Sequence, residues 1–332
     1  VYQAKGEWER AIAYYERSLA IREKVGDEHG MAVTFNSLGS VYRAKGEWER
    51  AIAYCERSLA IWEKVGGEHG MAATFNNLGL VYQAKGEWER AIAYYEHSLA
   101  LKEKAGDEYG MAPTFHDLGL AYQYKGDLDK AIEYHERGLA IVEKIDDEYG
   151  MSRLFNSLGD VYQAKGEWER AIAYYERSLA IREKVGDEHG MAVTFNSLGS
   201  VYRAKREWER AIAYYRRSLA IQEKVGGEQG MAATFNNLAR VYQDKGEWER
   251  AIECYERSLA IREKMGDEHG MAVSCNNMAM LYRDQGRLQE AIPLFGKSLE
   301  IFERIGAKPS ADTVRGNLEK AKQELEARRG QG

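Results

Sequence analysis

The sequence predicts an all-α solenoid of antiparallel helical hairpins, and three observations predict it. A block of roughly forty residues recurs along the whole 332-residue chain, and Val1 to Lys45 returns letter for letter as Val161 to Lys205. Within a block, apolar residues follow a helical period and not an alternating one. Between the helical stretches stand glycines, which can take the left-handed conformation that ends a helix without a Cβ clash.

In the first complete block the leading helix carries Met31, Phe35, Leu38 and Tyr42, spaced so that they share one face. Lys45-Gly46-Glu47 reads as its stop. The second helix carries Trp48, Ile52, Cys55, Leu59 and Trp62 on a similar stripe and runs on through Glu63-Lys64-Val65. Ahead of the next leading helix comes Val25-Gly26-Asp27 or its equivalent, a stop followed at once by a carboxylate that can accept the orphan N–H groups of a helix start. The caps divide the chain into a partial repeat at 1–26, seven complete repeats spanning 27–306, and a capping helix with its tail at 307–332. Val1-Tyr2-Gln3-Ala4 reads as the end of a leading helix that starts upstream. At the other end Val314, Leu318, Ala321 and Leu325 line one side of a helix whose other side is charged.

These residues resemble the tetratricopeptide repeat, whose hairpins carry a large apolar residue, then Leu-Gly-x-x-Tyr, then Gly-Asp-Tyr-x-x-Ala. The matching letters are Phe35, Leu38-Gly39, Tyr42, Gly46-Glu47-Trp48 and Ala51, and they recur in every unit. Gly39 and Ala51 are small so that the paired helices can approach closely. The family's proline near the end of the second helix is absent. The longer unit, with Thr74-Phe75-Asn76-Asn77-Leu78-Gly79, is most similar to the repeats of kinesin light chains and of the LGN/Pins adaptors. The resemblance implies a right-handed superhelical solenoid whose leading helices line a concave groove.

Composition excludes several functions. A formal charge of −6 argues against a binder of phosphate backbones, so no nucleic-acid partner is expected. No stretch approaches the roughly twenty apolar residues that span a bilayer, so no membrane partner is expected and a cytoplasmic location is. Cys55, Cys254 and Cys275 have no metal-ligand spacing and fall on core positions, where free buried thiols are expected. His29, His69, His189 and His269 fall one per repeat, too far apart to share a metal ion, and Tyr109, Tyr149 and Gln229 replace them elsewhere. No nucleophile is paired with a base, and no phosphate loop is present, so neither an enzyme nor a cofactor is expected. The tryptophans at 8, 48, 88, 168, 208 and 248 are read as core, since Leu128 and Leu288 stand in for them.

Function is expected on the inner wall. Transferred by register, the first groove position is Asn36, Asn76, His116, Asn156, Asn196, Asn236 and Asn276, amides that could grip the main chain of an extended peptide or bond the neighbouring helix. One turn on come Ser40, Leu80, Leu120, Asp160, Ser200, Arg240 and Met280, and after them Arg43, Gln83, Gln123, Gln163, Arg203, Gln243 and Arg283. No lysine occupies the first position, which removes the carboxylate clamp of chaperone-binding relatives. The expectation is a scaffold that binds a protein or extended peptide. The competing one is a sensor or regulatory arm of a larger signalling protein with an attached NTPase or effector domain. The flank around Trp8, Ile12 and Leu19 is expected to pack on further repeats or, end to end, on another copy. Arg206 stands where other hairpins have Gly, so either it turns left-handed or its helix lengthens. Pro113 is placed in the first turn of its helix, where a missing N–H is harmless.

Overall fold

The structure, a computed structural model, describes residues 7–329, so the expected helix end at Val1 to Ala4 lies outside the described residues. It contains sixteen α-helices and, among the described residues, no strand. Two compact units divide the chain, Val1–Tyr174 and Tyr175–Gly332. In the first lie α1 (Trp8–Val25), α2 (Glu28–Ala44), α3 (Trp48–Val65), α4 (Glu68–Ala84), α5 (Trp88–Ala105), α6 (Glu108–Lys125), α7 (Leu128–Lys144) and α8 (Glu148–Ala164). The boundary falls within α9 (Trp168–Val185). The second unit holds α10 (Glu188–Ala204), α11 (Trp208–Val225), α12 (Glu228–Asp244), α13 (Trp248–Met265), α14 (Glu268–Asp284), α15 (Leu288–Arg304) and α16 (Lys308–Arg329). Within each unit helices pack on their chain neighbours, and leading helices also touch: α2 with α4, α4 with α6 and α6 with α8 in the first unit, α10 with α12 in the second, where α14 likewise touches α16. This is an all-α helical repeat solenoid.

The caps explain why helices follow one another almost without linkers. Gly26 sits at φ 72°, and the N–H of Asp27 reaches back to the carbonyl of Arg22 at 2.9 Å. Asp27 then accepts the N–H of Gly30 on Oδ1 at 2.9 Å, and Asp107, Asp147, Asp187 and Asp267 do the same for their helices. Gly67 and Gly227 leave that cap unmade.

Within a hairpin, Phe35, Leu38 and Tyr42 of α2 are buried against Ala51 and Cys55 of α3. A Cβ on Gly39 would stand 2.5 Å from Cys55 Sγ and 3.2 Å from the carbonyl oxygen of Ala51, so the backbones meet with no room for a side chain. A buried serine ties the same pair: Ser58 Oγ donates to the carbonyl of Ala32 at 2.8 Å, and Ser218, Ser258 and Ser298 repeat the bond. Salt bridges lie outside. Lys45 reaches Glu9 at 3.0 Å and Lys245 reaches Glu209 at 2.9 Å, each joining successive hairpins, but such exposed pairs contribute only about 0–1 kcal/mol each. All three cysteines are buried free thiols.

Three departures from the sequence reading have physical reasons. Pro113 is the sixth residue of α6, in its second turn and not its first, and the helix continues to Lys125. Asp146, not a glycine, takes the left-handed turn between α7 and α8 at φ 56°. Ile12 and Leu19 of α1 lie against the core of the first hairpin, while Tyr14, Ile21 and Val25 are the large apolar residues that this helix exposes.

Arg206 adopts φ 61° and α10 still ends at Ala204, so the arginine bends left-handed and the helix does not lengthen. A non-glycine residue pays about 1 kcal/mol for that conformation. Arg206→Gly should therefore raise the melting temperature by a few degrees in a thermal scan; a lowered one would contradict the assignment.

Candidate functional site

The leading helices leave one face outside the core. On α2, Phe35, Leu38, Gly39 and Tyr42 are buried, whereas Val33, Asn36, Ser37, Ser40, Arg43 and Ala44 remain partly or fully exposed. The same register holds on α4 and α6 in the first unit and on α10, α12 and α14 in the second, whereas on α8 Asn156 and Ser157 are buried.

The asparagine row is already hydrogen-bonded along the stack. Asn36 Oδ1 accepts from Asn77 Nδ2 at 2.7 Å, and Asn76 Nδ2 donates to Asp117 Oδ2 at 3.3 Å. His116 Nε2 lies 3.1 Å from Ser157 Oγ. In the second unit Asn196 accepts from Asn237 at 2.9 Å and donates to Thr234 Oγ1 at 2.7 Å, Asn236 accepts from Asn277 at 3.2 Å, and Asn276 accepts from Asn317 at 3.4 Å. Apart from the Asn196–Thr234 bond, which spans thirty-eight positions, each rung joins residues forty-one apart on successive even-numbered helices. Asn156 is buried and donates to Asp160 at 3.3 Å.

The third row splits. Gln83 Oε1 accepts from Tyr95 at 2.8 Å and Gln243 from Tyr255 at 3.3 Å, so both are anchored to the second helix of their own hairpin. Arg203 Nε pairs with Asp244 at 2.7 Å, and Arg283 lies 3.8 Å from Asp284. Arg43 and Gln163 are half-buried on α2 and α8. Arg240, in the second row, is exposed on α12, and among the described residues it makes no ion pair.

Between consecutive leading helices the faces open into clefts. One of about 510 Å³ is lined by His29, Val33, Asn36, Trp62 and His69; another of about 240 Å³ is lined by Tyr109, Pro113, His116, Ile145, Tyr149 and Arg153. Their floor comes from a position that the sequence reading passed over, near the end of each second helix. It is Trp62, Val142 and Phe302 in some hairpins, all buried; in others it is Lys102, whose Nζ donates to Thr114 Oγ1 at 2.6 Å, or Arg182, which donates to Thr194 Oγ1 at 2.7 Å and to the Gly190 carbonyl. Burial lowers the Lys102 pKa. The only signal in the sequence was a residue that changes class at a position the helical period calls apolar.

Models of the tetratricopeptide repeat family match residues 1–64, 30–104, 70–144, 110–184, 150–224, 190–264 and 230–304, which together cover nearly the whole chain. The chain belongs to the tetratricopeptide repeat family. No curated protein matches it. Among solved structures it is similar to the signal transduction ATPase with a tetratricopeptide repeat sensor from Pyrococcus horikoshii, at 17% identity over 93% of this chain and 48% of that one, with a TM-score of 0.66. A Rap protein complexed with competence and sporulation factor aligns at 14% identity over 97% of both chains, with a TM-score of 0.60. A kinesin light chain-type protein of nearly identical repeats from Podosopora anserina aligns at 26% identity over 59% of this chain and 96% of that one, with a TM-score of 0.50. Tetratricopeptide repeats generally mediate protein–protein interaction, and their fold is typically a non-enzymatic scaffold.

One tetratricopeptide hairpin, α6 with α7, breaks the pattern. His135 stands where other hairpins place Tyr95, Tyr215 or Tyr255, and it is fully buried with no protein partner on either ring nitrogen. Its ring lies 5.5 Å from that of His116, and Gln123, the counterpart of Gln83, has a buried carbonyl oxygen with no partner. Burial, helped by the neighbouring His116, pushes the His135 pKa down to about 3. An unfolded histidine titrates near 6.5, so acid protonates the unfolded chain first and stability falls from about pH 6.5 downward, by at most about 1.4 kcal/mol per pH unit. His135→Tyr should stabilise the chain at neutral pH by restoring the bond to the glutamine, and its advantage in urea unfolding should grow between pH 6.5 and 4. An advantage that stays flat with pH would contradict the buried neutral imidazole.

Proposed function

We propose that this chain is an interaction module that binds an extended, acid-bearing peptide segment along the exposed faces of its leading helices. The observation that carries the reading is a contrast within one sequence. The repeats are nearly identical in their core and caps, yet the second row changes from Ser40 through Leu80 and Leu120 to Asp160 in the first unit, and from Ser200 through Arg240 to Met280 in the second. Positions that vary while exposed can select side chains; positions that hold the stack cannot vary freely.

The asparagine row supports this division of labour differently from a simple backbone grip. Asn36, Asn196, Asn236 and Asn276 spend an acceptor on the next leading helix, so their first duty is register, and a ligand would use the remaining amide valences. Selection falls to Arg240 and Arg203 in the second unit and to Arg153 and Arg43 in the first. Arginine suits this because its planar fork can hold a carboxylate with two parallel bonds. The Rap structure, solved with its factor bound, shares the fold alone with this chain, and the reading rests on the side chains above.

The second reading is a sensor arm in a larger signalling protein. It draws support from the Pyrococcus horikoshii protein, of which this chain spans about half the length. Isolation of the native gene product with an attached NTPase or effector domain would favour it.

An array of short acidic, neutral and basic peptides tests the proposal. Acidic peptides should bind, and the double variant Arg203→Ala with Arg240→Ala should weaken them at least tenfold while leaving the melting temperature within a degree or two. Asn196→Ala should lower stability by about 1–2 kcal/mol through two lost hydrogen bonds. Equal binding of all peptides, or full binding by the double variant, would sink the reading.

A further inference from the structure

The repeat supplies its own internal controls, and they single out one cleft on the side of the second helices. In five hairpins a tyrosine of the second helix stacks face to face on a tyrosine of the first: Tyr54 on Tyr42, Tyr94 on Tyr82, Tyr134 on Tyr122, Tyr174 on Tyr162 and Tyr214 on Tyr202, with centroids 5.2–5.4 Å apart. Two hairpins depart from this: Leu294 fills the position in the hairpin of α14 and α15, and in that of α12 and α13 it is the much smaller Cys254, so that Tyr242 has no partner ring. A cleft of about 390 Å³ opens there, walled by Phe235, Leu238 and Tyr242 and by Leu219 from the preceding hairpin.

A second substitution faces the same cleft. Position 216 is arginine, whereas 16, 56, 96, 136, 176 and 256 are all glutamate. In the second complete hairpin the glutamate accepts from the tyrosine of the next leading helix, Tyr122 to Glu96 at 3.3 Å; here Arg216 Nη2 donates to Tyr242 Oη at 3.3 Å instead. The lining therefore gains a cation where other repeats carry an acid. Of the remaining charges, Arg250 pairs with Glu247 at 2.5 Å and Arg257 with Glu253 at 2.8 Å, and Glu223 also lines the rim. Among the described residues Arg216 makes no ion pair. The arginine over the phenylalanine has also drawn back: Arg257 is 5.6 Å from the Phe235 centroid, against 4.1 Å for Arg57 over Phe35 and Arg217 over Phe195 and 4.3 Å for Arg137 over Phe115.

A missing ring, a cleft walled by the buried rings of Tyr242 and Phe235, and a guanidinium without an ion pair describe one ligand chemistry. We propose that this cleft binds a planar aromatic ring carrying a carboxylate. The ring stacks on Tyr242 in the place that tyrosine fills elsewhere, and the carboxylate is held by Arg216. The volume falls within the range of small-ligand sites, roughly 300–1,000 Å³. The site lies apart from the leading-helix faces and is independent of what binds them.

Calorimetric titration with phenylacetate tests this, with phenylethanol as the uncharged control and a tyrosyl-aspartate dipeptide to distinguish a free acid from an aromatic side chain on an acidic segment. Saturable binding of either anion, absent for phenylethanol, is expected. Cys254→Tyr on α13 and Arg216→Glu on α11 each restore the residue that most other hairpins of the chain carry at the same position, so both should fold, with unchanged helicity. Each should weaken the anion at least tenfold. Binding that survives Cys254→Tyr undiminished, or no saturable binding by either anion, would overturn the proposal.

Discussion

The contact on which the structure depends is the close approach of two helices at a position that holds only glycine or alanine. At Gly39 the paired helix comes within 3.2 Å of where a Cβ would stand, and at Gly79 and Gly199 the ring of Tyr95 or Tyr215 occupies that space. This closeness lets the large residue of the second helix plug the hairpin: Tyr95, Tyr175, Tyr215 and Tyr255 are almost fully buried, each with a modest exposed neighbour on the opposite side. Once the hairpin is fixed, its leading helix can present only one face outward. The positions available to a partner follow from that single constraint.

Hairpins alone would not define a site; their stacking does. The stacking is polar at the exposed face of the leading helices, through the rungs that join Asn36 to Asn77 and Asn196 to Asn237, and apolar behind it, where Val81 joins the core built on Phe35 and Leu38. Amide rungs are directional, so they hold register in a way that a greasy surface cannot. A repeat that keeps core, caps and rungs constant is free to vary everything else. The variable second row and the cleft at Cys254 are two uses of that freedom on opposite sides of the same layers. Such duplication extends a surface without requiring new chemistry at each step.

Much of this was legible in the sequence, because hairpin formation is local. The period placed Phe35, Leu38 and Tyr42 on the buried face, Gly39 and Ala51 announced close approach, and Gly26-Asp27 announced a stop and a cap. The exposed face of the leading helix was legible for the same reason, since it is what the buried stripe leaves over. The partners of that face were not. Whether Asn36 faces open space or the residue forty-one positions on depends on the offset between neighbouring helices, which no period within one helix encodes. Position 102 was missed because a lysine among buried residues looks like a surface residue until Thr114 is found beside it. Pro113 was assigned to the wrong turn because the cap at Asp107 begins the helix earlier than the proline suggests. Cys254 read only as a buried thiol and Arg216 was passed over, and the two acquire meaning only when folding brings them to one cleft.

The close approach inside the hairpin is tested most directly by equilibrium urea unfolding of the chain with Gly199→Ala and Gly199→Val. Alanine should cost little, since Ala239 and Ala279 already occupy the same register in the next two hairpins with no loss of burial. Valine must displace Tyr215 or part the helices, and should lower stability by about 1–3 kcal/mol. A valine variant with the midpoint of the parent chain would show that the two helices do not need to touch there, and the account built on that contact would fail.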